Sequence, residues 1–144
     1  MPAIIMSEGS NSLDKLQTLF VALIDREDRP LVIHAVGDKS AKHEIKYNVL
    51  SNIALDYFGD TTKSTTSSAP KYLFEIDGNV IYGEYLHQKG LKIVIGTNIR
   101  DDEAVLPFFQ KVKVFYLKSV INPFNDDFTE QIRRNIDSLG VEPN

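Results

Sequence analysis

Apolar residues along this chain gather in short blocks separated by polar turns, and the period within each block distinguishes strand from helix. Leu16 to Ile24 (LQTLFVALI) is nearly all apolar and predicts a strand covered on both faces. The charged turn from Asp25 to Pro30 brings Leu31, Val32 and Ile33 back as a second strand, a hairpin with a longer loop. Lys71 to Ile76, the tight Asp77-Gly78-Asn79 turn and Val80 to Leu86 form a second hairpin, because Asp-Gly and Gly-Asn readily supply positive φ. After a turn at His87 to Gly90, the segment Leu91 to Thr97 holds Ile93, Val94 and Ile95 in succession, again a pattern buried on both faces. Polar positions at Lys71 and Glu75 interrupt the third strand, so the first and fifth are expected side by side at the sheet centre.

Helical spacing appears three times. From His43 to Phe58, the residues Ile45, Val49, Leu50, Ile53, Ala54 and Tyr57 are expected to form the core stripe of a first helix that Gly59 closes. Asp101 and Asp102 precede a second helix reaching about Ser119, with Val105, Phe108, Phe109, Val112 and Tyr116 on its buried side. Pro107 is compatible with the first turn of that helix, which places the start of the regular part after the acidic pair. Asn122-Pro123-Phe124 then breaks the chain, and Asp127 with Glu130 resembles a capping box for a last helix carrying Phe128, Ile132, Ile136 and Leu139, ending at Gly140. Strand, strand, helix, three strands, helix, helix is an α+β order, with helices on both faces of one five-stranded sheet. One domain spans residues 16–140. Residues 1–15 are expected to be a flexible extension without the features of a signal or transit peptide, 59–70 a mobile polar loop, and 141–144 a tail.

Composition narrows the classes of function. The 144 residues carry 16 basic and 20 acidic side chains, a formal charge of −4, which disfavours a nucleic-acid partner. With no cysteine there is no disulfide, thiolate metal site or cysteine nucleophile, and a cytosolic protein fits best. His34, His43 and His87 show no spacing that presents two imidazoles to one ion. Gly78 to Gly83 has the glycine spacing of a phosphate loop, but Glu84 and Tyr85 follow where lysine and a hydroxyl residue are required. Asp101/Asp102 and Asp126/Asp127 stand at helix starts, where the macrodipole accounts for them without acid–base catalysis. No catalytic, metal or cofactor site is therefore expected.

What remains is surface. Val114 falls opposite the core stripe of the second helix and Leu117 to one side of it, with Lys111 and Lys118 flanking, either as an interface or as isolated surface hydrophobes. Asp56, near the negative end of the first helix, is not selected by local stability, and Leu55 beside it points away from the expected core arc. The pair could present one apolar and one anionic contact outward, or be a solvated aspartate with a stray leucine.

Ala54-Leu55-Asp56, the opening FVALIDREDRPLVI, and the run from about Leu91 through VFYLKSVINPFN resemble the sedlin-like subunits of the TRAPP vesicle-tethering complex, most closely a fungal TRAPP-associated form. Asn122-Pro123-Phe124 is the most telling triplet. The same triplet can be read as a peptide ligand for endocytic modules, although in this family it is a structural turn. The resemblance, over about Leu19 to Ile136, implies a longin-like, profilin-related fold. Its antiparallel sheet would have the order 2-1-5-4-3, with the first helix on one face and the last two on the other. It also implies a non-catalytic adaptor that needs no cofactor and helps assemble or stabilise the complex, a Rab-type GTPase exchange factor of Golgi and endosomal traffic. Partners would then be other TRAPP subunits, both longin-like and large TRAPP II-type, with peripheral attachment to Golgi and endosomal membranes through the complex. The family's functional aspartate maps onto Asp56. The alternative is a free-standing longin or profilin-like regulatory domain that binds a SNARE, actin or a small GTPase.

Overall fold

The computed structural model describes residues 15–36, 41–58, 69–121 and 128–140. The expected extension before Lys15, most of the 59–70 loop, the Asn122-Pro123-Phe124 turn and the tail lie outside the described residues. Five strands, β1 (Thr18–Ile24), β2 (Pro30–Ala35), β3 (Lys71–Ile76), β4 (Asn79–Leu86) and β5 (Leu91–Thr97), form one sheet. Its order is β2-β1-β5-β4-β3, and every neighbouring pair is antiparallel. The two most apolar strands do lie side by side at the centre. Three helices follow the expected order: α1 (Ala41–Leu55), continued by a 3-10 turn (Asp56–Phe58), α2 (Leu106–Ile121) and α3 (Phe128–Gly140).

Strand alternation divides the core into two layers. Val21, Leu23, Val80, Tyr82, Ile93 and Ile95 pack beneath Val105, Phe109 and Val112 around α2 and Ile132 and Ile136 of α3. Phe20, Ala22, Ile24, Ile81, Tyr85 and Val94 meet Tyr47, Leu50, Ala54 and Phe58 on the other face. The hairpin from β3 to β4 closes with only two residues, Asp77 and Gly78, at φ 51° and 78°. Asn79, expected in that turn, opens β4, and its amide donates to the carbonyls of Ile76 and Asp77.

The start of α2 shows why Asp101 and Asp102 precede the helix without belonging to it. Asp101 Oδ1 accepts the Ala104 amide at 3.1 Å, its carbonyl accepts the Val105 amide, and the helix begins at Leu106 with Pro107 in its first turn. Tyr82 ties this cap to the sheet, accepting from the Asp101 amide and donating to Asp102, both at 2.9 Å. Burial, followed by that bond to Asp102, pushes the Tyr82 hydroxyl up to about 12. The Arg100 guanidinium, stacked 3.8 Å above the Tyr72 ring, donates to Asp102 and with Tyr82 holds its carboxyl below the usual range.

The expected core stripe of α1 is corrected. Ile45, Val49 and Tyr57 are exposed, at 68%, 52% and 46%, whereas Tyr47, Leu50, Ser51, Ala54 and Phe58 are buried and Ile53 is half-buried. Apolar residues occur on both sides of this helix, so two stripes satisfy the helical period and tertiary packing chooses between them. The choice is made by two glycines on the sheet. Gly96 lies opposite Phe20, and a Cβ there would collide with the Phe20 ring; at Gly83 a Cβ would come within 2.8 Å of both Phe58 and Leu73. Phe20, lying flat over Gly96, stacks on Tyr47 with ring centroids 4.5 Å apart, which turns Tyr47 inward and Ile45 outward.

Two substitutions on α1 test this orientation by denaturant unfolding. Leu50→Ala should destabilise by about 2–5 kcal/mol as a core truncation, while Ile45→Ala should stay within about 0.5 kcal/mol of the parent. The reverse order would restore the stripe expected from the sequence. Gly96→Ala should cost about 1–3 kcal/mol by overpacking, as Phe20 is displaced from its seat; an unchanged unfolding midpoint would show that the ring is free to move.

Candidate functional site: two outward helical faces

Inverting α1 creates an exposed apolar row. Ile45, Val49, Asn52 and Asp56 follow at i, i+4, i+7 and i+11 and are all exposed, so Asp56 stands in line with two aliphatic side chains. Among the described residues the Asp56 carboxylate has no hydrogen-bond or ion-pair partner. Leu55 is half-buried among the apolar residues under the helix, so of the two neighbours Asp56 alone points outward. Tyr57 borders the row, half-exposed and stacked on Phe74 at 4.8 Å between centroids.

α2 presents the second face on the opposite side of the sheet. Val114 and Leu117 are exposed at 44% and 38%, and Leu106 and Val120, which the sequence reading did not single out, are also exposed. Leu106 falls about 60° beyond Phe109 when the helix is turned at its ordinary period, so its exposure could be read, whereas Val120 falls only about 20° from Phe109 and periodicity would place it with the core. Lys111 and Lys118 are exposed beside Val114 and Leu117, and neither makes an ion pair among the described residues. Lys111 leans over the Phe108 ring with its ammonium 5.9 Å from the centroid. Lys113 turns the other way, where it reaches the fully buried Glu84 of β4 at 2.9 Å and fastens the helix to the sheet.

The two faces differ in charge. α2 carries Lys111, Lys113 and Lys118 and no acidic residue, whereas the outer row of α1 ends in Asp56 and has Glu44 near its start. On both faces exposed aliphatic area is joined to charge, lysines alone along α2 and Glu44, Lys46 and Asp56 of mixed sign along α1, and such a combination gives a protein contact both burial and selectivity. Asn122, Pro123 and Phe124 lie outside the described residues.

Among the described residues no three His, Cys, Asp or Glu side chains come together to hold a metal ion, and no described helix is long and apolar enough to cross a membrane. His34 is engaged with Asp137 of α3 at 2.7 Å.

Comparison with known proteins agrees with this architecture. Residues 23–139 match the family model for sedlin. The TRAPP-associated protein TCA17 of Saccharomyces cerevisiae is 36% identical, in an alignment covering 88% of this chain and 95% of the relative. The matched region takes in β2 through α3, hence both outward faces and the sheet that separates them. The sheet order 2-1-5-4-3, with one helix on one face and two on the other, is that of a longin-like domain, and the chain belongs to the sedlin family.

Proposed function

We propose that this chain is a non-catalytic adaptor of the TRAPP tethering complex and promotes its assembly or stability. The observation that carries the reading is identity to a TRAPP-associated protein across nearly the whole of both chains, rather than across one motif. The two outward faces, with their exposed aliphatic side chains, support placing the contacts there. A thin sandwich with an apolar row ending in Asp56 on one side and an apolar row flanked by lysines on the other is suited to stand between two neighbours. In that role Val114, Leu117, Lys111 and Lys118 meet one subunit, and Asp56, with Ile45 and Val49 added to it, meets another; Leu55 supports Asp56 from below. The protein then acts in the cytoplasm and reaches Golgi and endosomal membranes peripherally, through a complex that serves a Rab-type GTPase as exchange factor.

Affinity purification of the tagged protein from its native source, with mass spectrometry, tests the reading. The parent should bring down longin-like and large TRAPP II-type subunits; recovery of the tagged chain alone would point to a free-standing regulator. Val114→Asp combined with Leu117→Asp should leave the melting temperature within a few degrees of the parent, as both side chains are exposed, while recovery of one neighbour falls. Asp56→Asn should melt at the same temperature or slightly higher, because it removes a negative charge from the negative end of α1, worth about 0.3–1 kcal/mol. Its recovery of a different neighbour should fall. Normal assembly by both variants would remove the two faces from consideration.

A further inference from the structure

Among the described residues β2 and β3 are the unpaired edges of the sheet, and they are built differently. β3 places exposed Lys71 and Glu75 on its edge, and its pairing with β4 slips between Tyr72 and Phe74, leaving Leu73 as an extra residue. Charge and a mid-strand bulge are the ordinary means by which an edge is kept from pairing with another chain. β2 has neither along most of its length. Pro30 and an irregularity opposite Ile24 sit at its start, and Val32 to Ala35 then pair regularly with β1. Its one titratable side chain, His34, is turned beneath α3 onto Asp137.

The Val36 amide donates to the Leu19 carbonyl at 2.9 Å, which sets the phase of the ladder. Val36, His34 and Val32 direct their main-chain groups toward β1, so Ile33 and Ala35 direct theirs outward. This edge forms one wall of a groove of about 220 Å³, with Glu44 and Asn48 of α1 on one bank, Arg133 of α3 on the other and half-exposed Leu31 at the strand's start. Arg133 has no ion-pair partner among the described residues.

We propose that the β2 edge accepts an extended segment of a partner protein as a sixth strand, with aliphatic side chains beside Ile33, which packs on the α1 face, and acidic ones toward Arg133. Main-chain groups spaced along an edge are matched by another extended chain and not by a helix, whose own groups are already paired. A second copy of this protein is disfavoured by symmetry. Two β2 strands joined in one continuous sheet would keep the same face up, setting Arg133 against Arg133 and Glu44 against Glu44. The proposal does not depend on the TRAPP reading.

The test uses the purified full chain and a fluorescent octapeptide that alternates valine with aspartate, followed by fluorescence anisotropy. The parent should bind. Methylating the valine amides and the aspartate amides in separate peptides should abolish binding in one and spare the other, because only every second amide can face β2. Ile33→Pro should lose the peptide while keeping the fold, as the N–H it removes points outward, and Ile33→Val should keep both. Arg133→Glu, an exposed position, should weaken the aspartate peptide about two- to fivefold and favour a valine–lysine counterpart. The proposal is overturned if the parent does not bind, as when another part of the chain already fills the edge. Equal effects of the two methylations, or binding unaffected by Ile33→Pro in a folded protein, would also sink it, as would a dimer that Ile33→Pro dissolves.

Discussion

The Phe20 ring lying on the bare backbone of Gly96 is the contact on which the α1 side of the molecule depends. β1 and β5 are the two central strands, and a Cβ at Gly96 would lift the ring away from the sheet. Because the ring lies flat it offers a face to Tyr47, and the stack fixes the rotation of α1 about its own axis. Everything outward on α1 follows from that rotation. Ile45 and Val49 face away from the sheet, and Asp56 falls into line with them instead of standing at the rim of a buried stripe.

On the opposite face the rotation of α2 is set by polar contacts as well as packing. Tyr82 holds both Asp101 and Asp102 at the entrance to the helix, and Lys113 reaches down to the buried Glu84. With Phe109 and Val112 in the core between these anchors, Val114 and Leu117 are left outside. A buried carboxylate held by Lys113 and a high-titrating tyrosine held between Asp101 and Asp102 read here as parts of a mounting that aims a surface.

Length and layering make such a molecule suited to connection. A single sheet with a helical layer on each side has two broad outer surfaces, and here both carry exposed aliphatic side chains, flanked by lysines along α2 and by Glu44, Lys46 and Asp56 along α1. The edges complete the description: β3 is guarded by charge and a bulge, and β2 is open between Glu44, Asn48 and Arg133.

How much of this was legible in the chain follows from how local each feature is. The strands were readable from runs such as Leu-Phe-Val-Ala-Leu-Ile and Ile-Val-Ile, because burial on both faces leaves no polar alternation. The tight hairpin was readable from Asp77-Gly78, because few residue pairs adopt positive φ so easily. The α2 stripe was readable because Val105, Phe108, Phe109, Val112 and Tyr116 recur on one side at helical spacing, which set Val114 and Leu117 apart from it. Quotable family residues led to the sheet order and to Asp56. The orientation of α1 was not legible: with apolar residues on two sides, periodicity alone admits two answers. Only the long-range contact of Phe20 with Gly96, 76 positions apart in sequence, chooses Tyr47 for the core. The open edge of β2 was likewise invisible, since a strand's free side is decided by which neighbours the sheet supplies and not by the strand's own residues.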